Sequence, residues 1–173
     1  MRPILLALTL LLAPPALAET PERAALLDSL ATARDRVEAD ETAALIWESW
    51  LTAPDAEAQA GLDAALARLQ VWDYPGALTH LDRLVESHPD YAEGWNQRAT
   101  VHFLVRDYDA SLADIDEVLA REPRHFGALA GKAVILMRQG RVPFAQLTIR
   151  QALEIHPFLN ERALLDAAPG EDL

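Results

Sequence analysis

The densest chemistry in this chain lies between Arg98 and Asp116. Asp114 and Asp116 follow Arg98 by about one helix and a turn, on the helix expected to face it. A cation facing two carboxylates either captures an anion or peptide or forms an internal ion pair, and a partly buried arginine is nearly always paired. Asp107, Asp109, Ser111, Asp114 and Asp116 form an acidic run, but a calcium loop needs Gly at its sixth place and Glu at its twelfth. Those places hold Leu112 and Val118, so the run reads as a solvated, capped helix start. The metal candidates are His80, His88, His102, His125 and His156. None stands in H-x-x-x-H or H-E-x-x-H spacing, which would put two ligands on one helix face. Structural or surface roles are expected for all five, with no metal. Trp47, Trp50, Trp72 and Trp95 suggest an aromatic ligand box. Trp47 and Trp50, three apart, share a helix face, and packing between repeats is the role expected of the four, least of all for Trp72 near a turn.

Enzymatic chemistry finds no foothold. There is no cysteine, and Ser29, Ser49, Ser87 and Ser111 lack the G-x-S-x-G elbow. The seven glycines are scattered and form no phosphate cradle. Acid pairs lie on helical stretches without pocket-forming loops. No catalytic residue and no cofactor is expected. Lys plus Arg number 15 against 27 Asp plus Glu, a formal charge of −12. Such a surface opposes phosphate-backbone binding and docking on anionic lipid. With 51% hydrophobic and 24% charged residues in 173, one packed domain is expected.

Residues 1–18 stand apart. Arg2 precedes an apolar run from Ile4 to Ala13, then Pro14, Pro15 and Ala16-Leu17-Ala18. This is the n-region, h-region and A-x-A pattern of a secretory signal peptide, cleaved after Ala18. The run is short for a membrane span. Export is the expectation, to the periplasm if the source is Gram-negative, with no span in the mature chain.

The elements that must position these residues recur. Pro89, Pro123 and Pro157 stand thirty-four residues apart, each closing an apolar-periodic stretch. Asp73-Tyr74, Asp107-Tyr108 and Arg141-Val142 mark turns on the same step. Ala65/Ala77, Ala99/Ser111 and Ala133/Ala145 supply small residues on successive helices, as close helix approach requires. Helices are predicted over 22–38, 41–52, 55–71, 75–87, 91–105, 108–121, 125–139, 142–155 and 158–167. Asp55, Asp73, Asp90 and Asp107 are predicted N-caps or first-turn acids. The tail from Pro169 is expected to fray.

Segment 92–125 resembles the tetratricopeptide repeat, with Trp95, Ala99, Asp107-Tyr108, Ser111 and Pro123 in the family's slots. Segment 126–159 is similar through Ala133, Gly140, Ala145, Ala152 and Pro157, and 58–91 through Ala65, Asp73-Tyr74, Ala77 and Pro89. Arg98 departs from the usual Leu, and Gly61 and Leu129 replace the aromatic. Residues 19–57 read as a degenerate capping pair and 160–173 as a closing helix and tail. The resemblance implies an all-α fold: a right-handed α-solenoid of stacked antiparallel helix pairs. It also implies a concave face lined by first-helix positions. Carried over, these are Leu62, Leu66 and Leu69 with Gln59 and Gln70; Asn96, Thr100, Phe103 and Leu104 with Glu93; and Val134, Met137 and Arg138 with Gly127 and Ala130. Some relatives clamp a C-terminal carboxylate there with Lys, Asn and Arg, but Leu62, Leu66, Ala130 and Val134 occupy those slots.

The expectation is therefore a non-enzymatic interaction module of the cell envelope. It would hold a protein segment, helical or extended, as an assembly or maturation factor. The alternative is a self-associating, homo-oligomeric scaffold whose groove is filled by its own chain.

Overall fold

The structure, a computed structural model, describes residues 20–165. The predicted signal peptide and the tail expected to fray lie outside the described residues. Eight α-helices and a closing 3-10 turn follow one another without a strand among the described residues: α1 (Pro21–Ala31), α2 (Arg36–Leu51), α3 (Ala56–Gln70), α4 (Tyr74–Ser87), α5 (Ala92–Leu104), α6 (Tyr108–Arg121), α7 (Phe126–Arg138), α8 (Val142–Ile155) and Asn160–Leu165.

The pairs α3/α4, α5/α6 and α7/α8 form close hairpins, and α4 packs on α5 and α6 on α7, so the three units stack in chain order. The small residues sit where the two helices of each hairpin meet. Ala65, Ala77, Ala133 and Ala145 are fully buried, and the Ser111 hydroxyl donates to the Ala99 carbonyl at 2.8 Å. The all-α solenoid read from the sequence is the architecture observed.

Both kinds of turn repeat. Within each hairpin the chain passes through a left-handed residue: Trp72 (φ 60°), Arg106 (φ 64°) and Gly140 (φ 71°). The next amide reaches back to close a Schellman turn, from Asp73 to Arg68 O (2.9 Å), Asp107 to His102 O (2.8 Å) and Arg141 to Leu136 O (2.9 Å). Only the third position carries the glycine such a φ favours. Arg106→Gly is therefore expected to stabilise the protein by roughly 0.5–1 kcal/mol, read as a raised urea midpoint at unchanged m-value. Between hairpins, Pro89, Pro123 and Pro157 each directly follow a helix C-cap, at His88, Glu122 and His156, where a missing N–H has no helical partner to lose.

Helix starts follow the acids. Asp55, Asp73 and Asp107 accept from the amides of Ala58 (2.9 Å), Gly76 (3.0 Å) and Ala110 (3.3 Å). Asp90 does not cap; the α5 N-cap is Tyr91, with no side-chain bond. The first boundary also differs from the prediction. The break expected at 39–40 falls at Thr32–Asp35, because the Asp35 carboxylate accepts from Glu38 N (3.0 Å) and the Glu38 carboxylate from Arg34 N (3.0 Å). The predicted closing α-helix over 158–167 is instead the 3-10 turn Asn160–Leu165.

The N-terminal pair was expected to precede the array in step. Its packing differs: α1 packs on α8 and α2 on α5, with no comparable interface between α2 and α3. Leu27, Leu30, Ala39, Ala43, Ile46 and Trp50 share one core with Phe126, flanked by Ile155, Phe158 and Leu159. The hairpin thus runs along the edge formed by the inter-repeat turns. Polar ties fasten it there: Arg23 to Glu122, Arg124 to Asp28 (2.6 Å), and Tyr91 Oη donating to Trp50 O (2.8 Å). Burial, then the nearby Glu93 charge, pushes the Tyr91 phenol well above its ordinary value, so it remains a donor.

Candidate partner-binding cavity on the concave face

The inner faces of α5 and α7 enclose a cavity of about 460 Å³. Asn96, Thr100 and Phe103 of α5 and Ala130 and Val134 of α7 line it. Small side chains at Ala99, Ala130 and Gly131 leave the space open; a Cβ at Gly131 would find only Ile115, at 3.8 Å. Two further walls come from outside the stacked units. Arg36, Asp40 and Trp47 of α2 close one side, and Phe158 to Glu161 close another. Trp47 lies so near the first turn of α7 that a Cβ at Gly127 would come within 2.6 Å of its ring. Glycine is required there by close approach.

The positions carried over from the resemblance divide. Asn96, Thr100, Phe103 and Val134 meet in the cavity, with Gly127 and Ala130. Leu62, Leu66 and Leu69 do not: Leu62 is fully buried in the α3/α4 core, and Leu51 and Ala53, at the end of α2 and just beyond it, pack on the same cluster as Leu66 and Leu69. Met137 is buried in the core between α7 and α8. Leu104 is exposed and lies outside the cavity lining. Arg138 sits over the Phe103 ring, 4.9 Å from its centroid, and donates to Tyr108 Oη at 3.1 Å. Arg36, Asp40, Asn160 and Glu161 were not singled out in the sequence, because no local signal says which surface a terminal hairpin will cover.

Beneath the cavity lies a buried polar network. The Glu93 carboxylate accepts from Asn96 Nδ2 (3.1 and 3.2 Å), from Gln97, and faces His125 Nε2 at 3.2 Å. His125 Nδ1 accepts from Ala128 N (3.1 Å), which places the ring proton of the neutral imidazole on Nε2. The ring stacks on Trp50, with centroids 3.8 Å apart and planes 11° apart. His125, expected as a surface or structural residue, is a fully buried helix cap.

Arg98 forms an internal pair. Its Nε and Nη2 donate to the two Asp114 oxygens at 2.8 and 2.7 Å, and its Nη1 to Asp82 at 3.0 Å. Asp116 instead meets Lys132, at 2.6 Å. Among the described residues, no group of three or more His, Cys, Asp or Glu converges as a metal site would require.

His156 borders the cavity, and burial lowers its pKa, opposed by Asp40 and Glu161 and assisted by Arg36. An imidazole harder to protonate folded than unfolded lets the unfolded chain bind the proton first. Stability is therefore expected to fall as pH drops below about 6.5, the ordinary His value, by at most ~1.4 kcal/mol per pH unit from this group. Urea midpoints at pH 7.5 and 5.5 check this, with His156→Gln flattening the difference.

Comparison with known proteins places these helices. The tetratricopeptide repeat family model matches residues 62–109 and 97–160, from within α3 to the residue that opens the closing 3-10 turn. A TPR repeat-containing protein of Rhizobium etli is 46% identical over 83 residues, covering 48% of this chain and 41% of that protein. The chain thus spans about two fifths of the length of this curated relative. No helix among the described residues is long and apolar enough to cross a membrane.

Proposed function

Because the chain belongs to the tetratricopeptide repeat family, whose repeats generally mediate contacts between proteins, we propose that it is a non-enzymatic interaction module of the cell envelope. It holds a segment of a partner protein in the concave cavity and serves as an assembly or maturation factor. The observation that carries this reading is the cavity itself. It is an aromatic-walled space of about 460 Å³ on the inner face of α5 and α7, within the range of ligand-sized sites. The envelope assignment rests on the signal-like pattern of residues 1–18.

The test places a photoreactive residue at Thr100, which is exposed and lines the cavity, in cells expressing the full chain. A crosslinked protein, lost on Ala130→Trp, is the expected result, with the chain in the periplasmic fraction. No crosslink at Thr100, or a wholly cytosolic chain, contradicts the corresponding half of the reading.

A second reading has one observation in its favour. Trp47 covers the first turn of α7 and the α1–α2 hairpin covers the adjoining edge, so part of the concave face is filled by the chain itself. A scaffold that self-associates would sediment as a dimer or larger species in the purified state. A monomer with a Thr100 crosslink favours the first reading.

A further inference from the structure

We propose that the cavity receives an arginine side chain presented by a basic, extended segment of the partner. This inference rests on the partner-binding reading above and narrows it. Hydrogen-bonding capacity points to a donor. The Glu93 carboxylate can only accept, so the Asn96 amide must turn its Nδ2 toward it, where it donates at 3.1 and 3.2 Å. Asn96 Oδ1 is left with no partner among the described residues and is not sealed in the core. The residue itself is more than nine-tenths buried and lines the cavity. Thr100 Oγ1 already donates to Asn96 O (3.0 Å) and Ser111 Oγ to Ala99 O (2.8 Å). What these groups still offer is lone pairs.

Charge points the same way. Arg36, Asp40 and Glu161 border the cavity, and none is in an ion pair among the described residues; the two carboxylates outnumber the one guanidinium, which donates to Asn160 Oδ1 at 3.2 Å. The chain as a whole carries −12. A ligand rich in N–H donors and positive charge is complementary; a carboxylate or phosphate is not.

Shape separates arginine from other donors. The walls are Phe103, Val134, Phe126 and Phe158, apolar surface for a three-carbon stem and aromatic faces for a planar guanidinium. The protein already uses Phe103 this way, with Arg138 stacked on it. The α2 wall also decides the form of the segment. A helix is about 10–12 Å across with its side chains, and Arg36, Asp40 and Trp47 of α2 wall the cavity on one side. One side chain inserted from an extended segment needs no such width.

The experiment titrates the full chain into fluorescein-labelled nonapeptides with four alternating Gly and Ser residues on each side of a central arginine, citrulline or norleucine. Free L-arginine is a fourth probe. The arginine peptide is expected to bind at least tenfold more tightly than the citrulline peptide. Asp40→Asn with Glu161→Gln, both at the rim, should weaken it about tenfold while leaving the thermal melt unchanged. Equal binding of the arginine and citrulline peptides overturns the cationic requirement. Tighter binding of the norleucine peptide overturns the donor argument. Free L-arginine binding as tightly as the peptide overturns a protein segment as the source. If no peptide binds while Thr100 still crosslinks to a protein in cells, the arginine assignment fails and the partner-binding reading stands. If the crosslink is absent too, both fail.

Discussion

Trp50→Ala is expected to lower the free energy of unfolding by about 4 kcal/mol, near the middle of the range for deleting a buried aromatic. Trp50 is 2% exposed. Its ring stacks on His125 at 3.8 Å and meets Phe126 and Trp47, each at 5.1 Å. With Trp47, it links the N-terminal hairpin to His125 and Phe126 at the α6–α7 turn. Truncation opens a cavity against His125, a group that also caps α7 and faces Glu93, so the loss spreads from packing into the buried network. A domain of ordinary stability holds about 5–15 kcal/mol in total, and the change shows as a large fall in urea midpoint. Trp50→Phe should cost far less. It keeps an aromatic face on His125 and removes an indole N–H that is buried without a partner. A loss below about 1 kcal/mol for Trp50→Ala, far under the usual range for such a truncation, would mean that the hairpin is not held through this ring.

The second large effect is at Arg98. Arg98→Met is expected to cost about 3 kcal/mol, because Asp114, only 4% exposed, would lose both charge-assisted hydrogen bonds at once. His102 Nε2, at 3.9 Å, is too far to replace them. The destabilisation belongs to the stranded carboxylate rather than to the missing cation. Arg98→Met combined with Asp114→Leu should therefore recover most of the loss. A double-mutant cycle in urea reads the coupling directly. If the double variant is less stable than Arg98→Met alone, the pair contributes more than its own desolvation costs, and a stranded carboxylate does not explain the loss.

Arg98 also shows how sequence and structure divide the site. Its facing acids were legible from a spacing of one helix and a turn, and Asp114 is indeed its partner. Asp116 was not separable from Asp114 by that spacing, and two residues further along α6 it meets Lys132 instead. The same limit governs the carried-over positions. Leu62, Asn96 and Ala130 hold equivalent places in three units, yet Leu62 is fully buried in the α3/α4 core while the other two line a cavity.

Residue types and spacing were enough for everything local. Carboxylates at helix starts, prolines after helix ends and paired small residues recur in step, and each acts within one hairpin or on the next. Chain proximity enforces those contacts, so stacked hairpins follow directly. The destination of the terminal hairpin could not be read in this way. Its apolar face, built on Leu27, Leu30, Ile46 and Trp50, needs a greasy surface but carries no address for one. Burial against the inter-repeat edge satisfies it as well as stacking on α3 would, because the hydrophobic effect has no direction. That placement sets Arg36, Asp40 and Trp47 as one wall of the cavity and stacks Trp50 on His125.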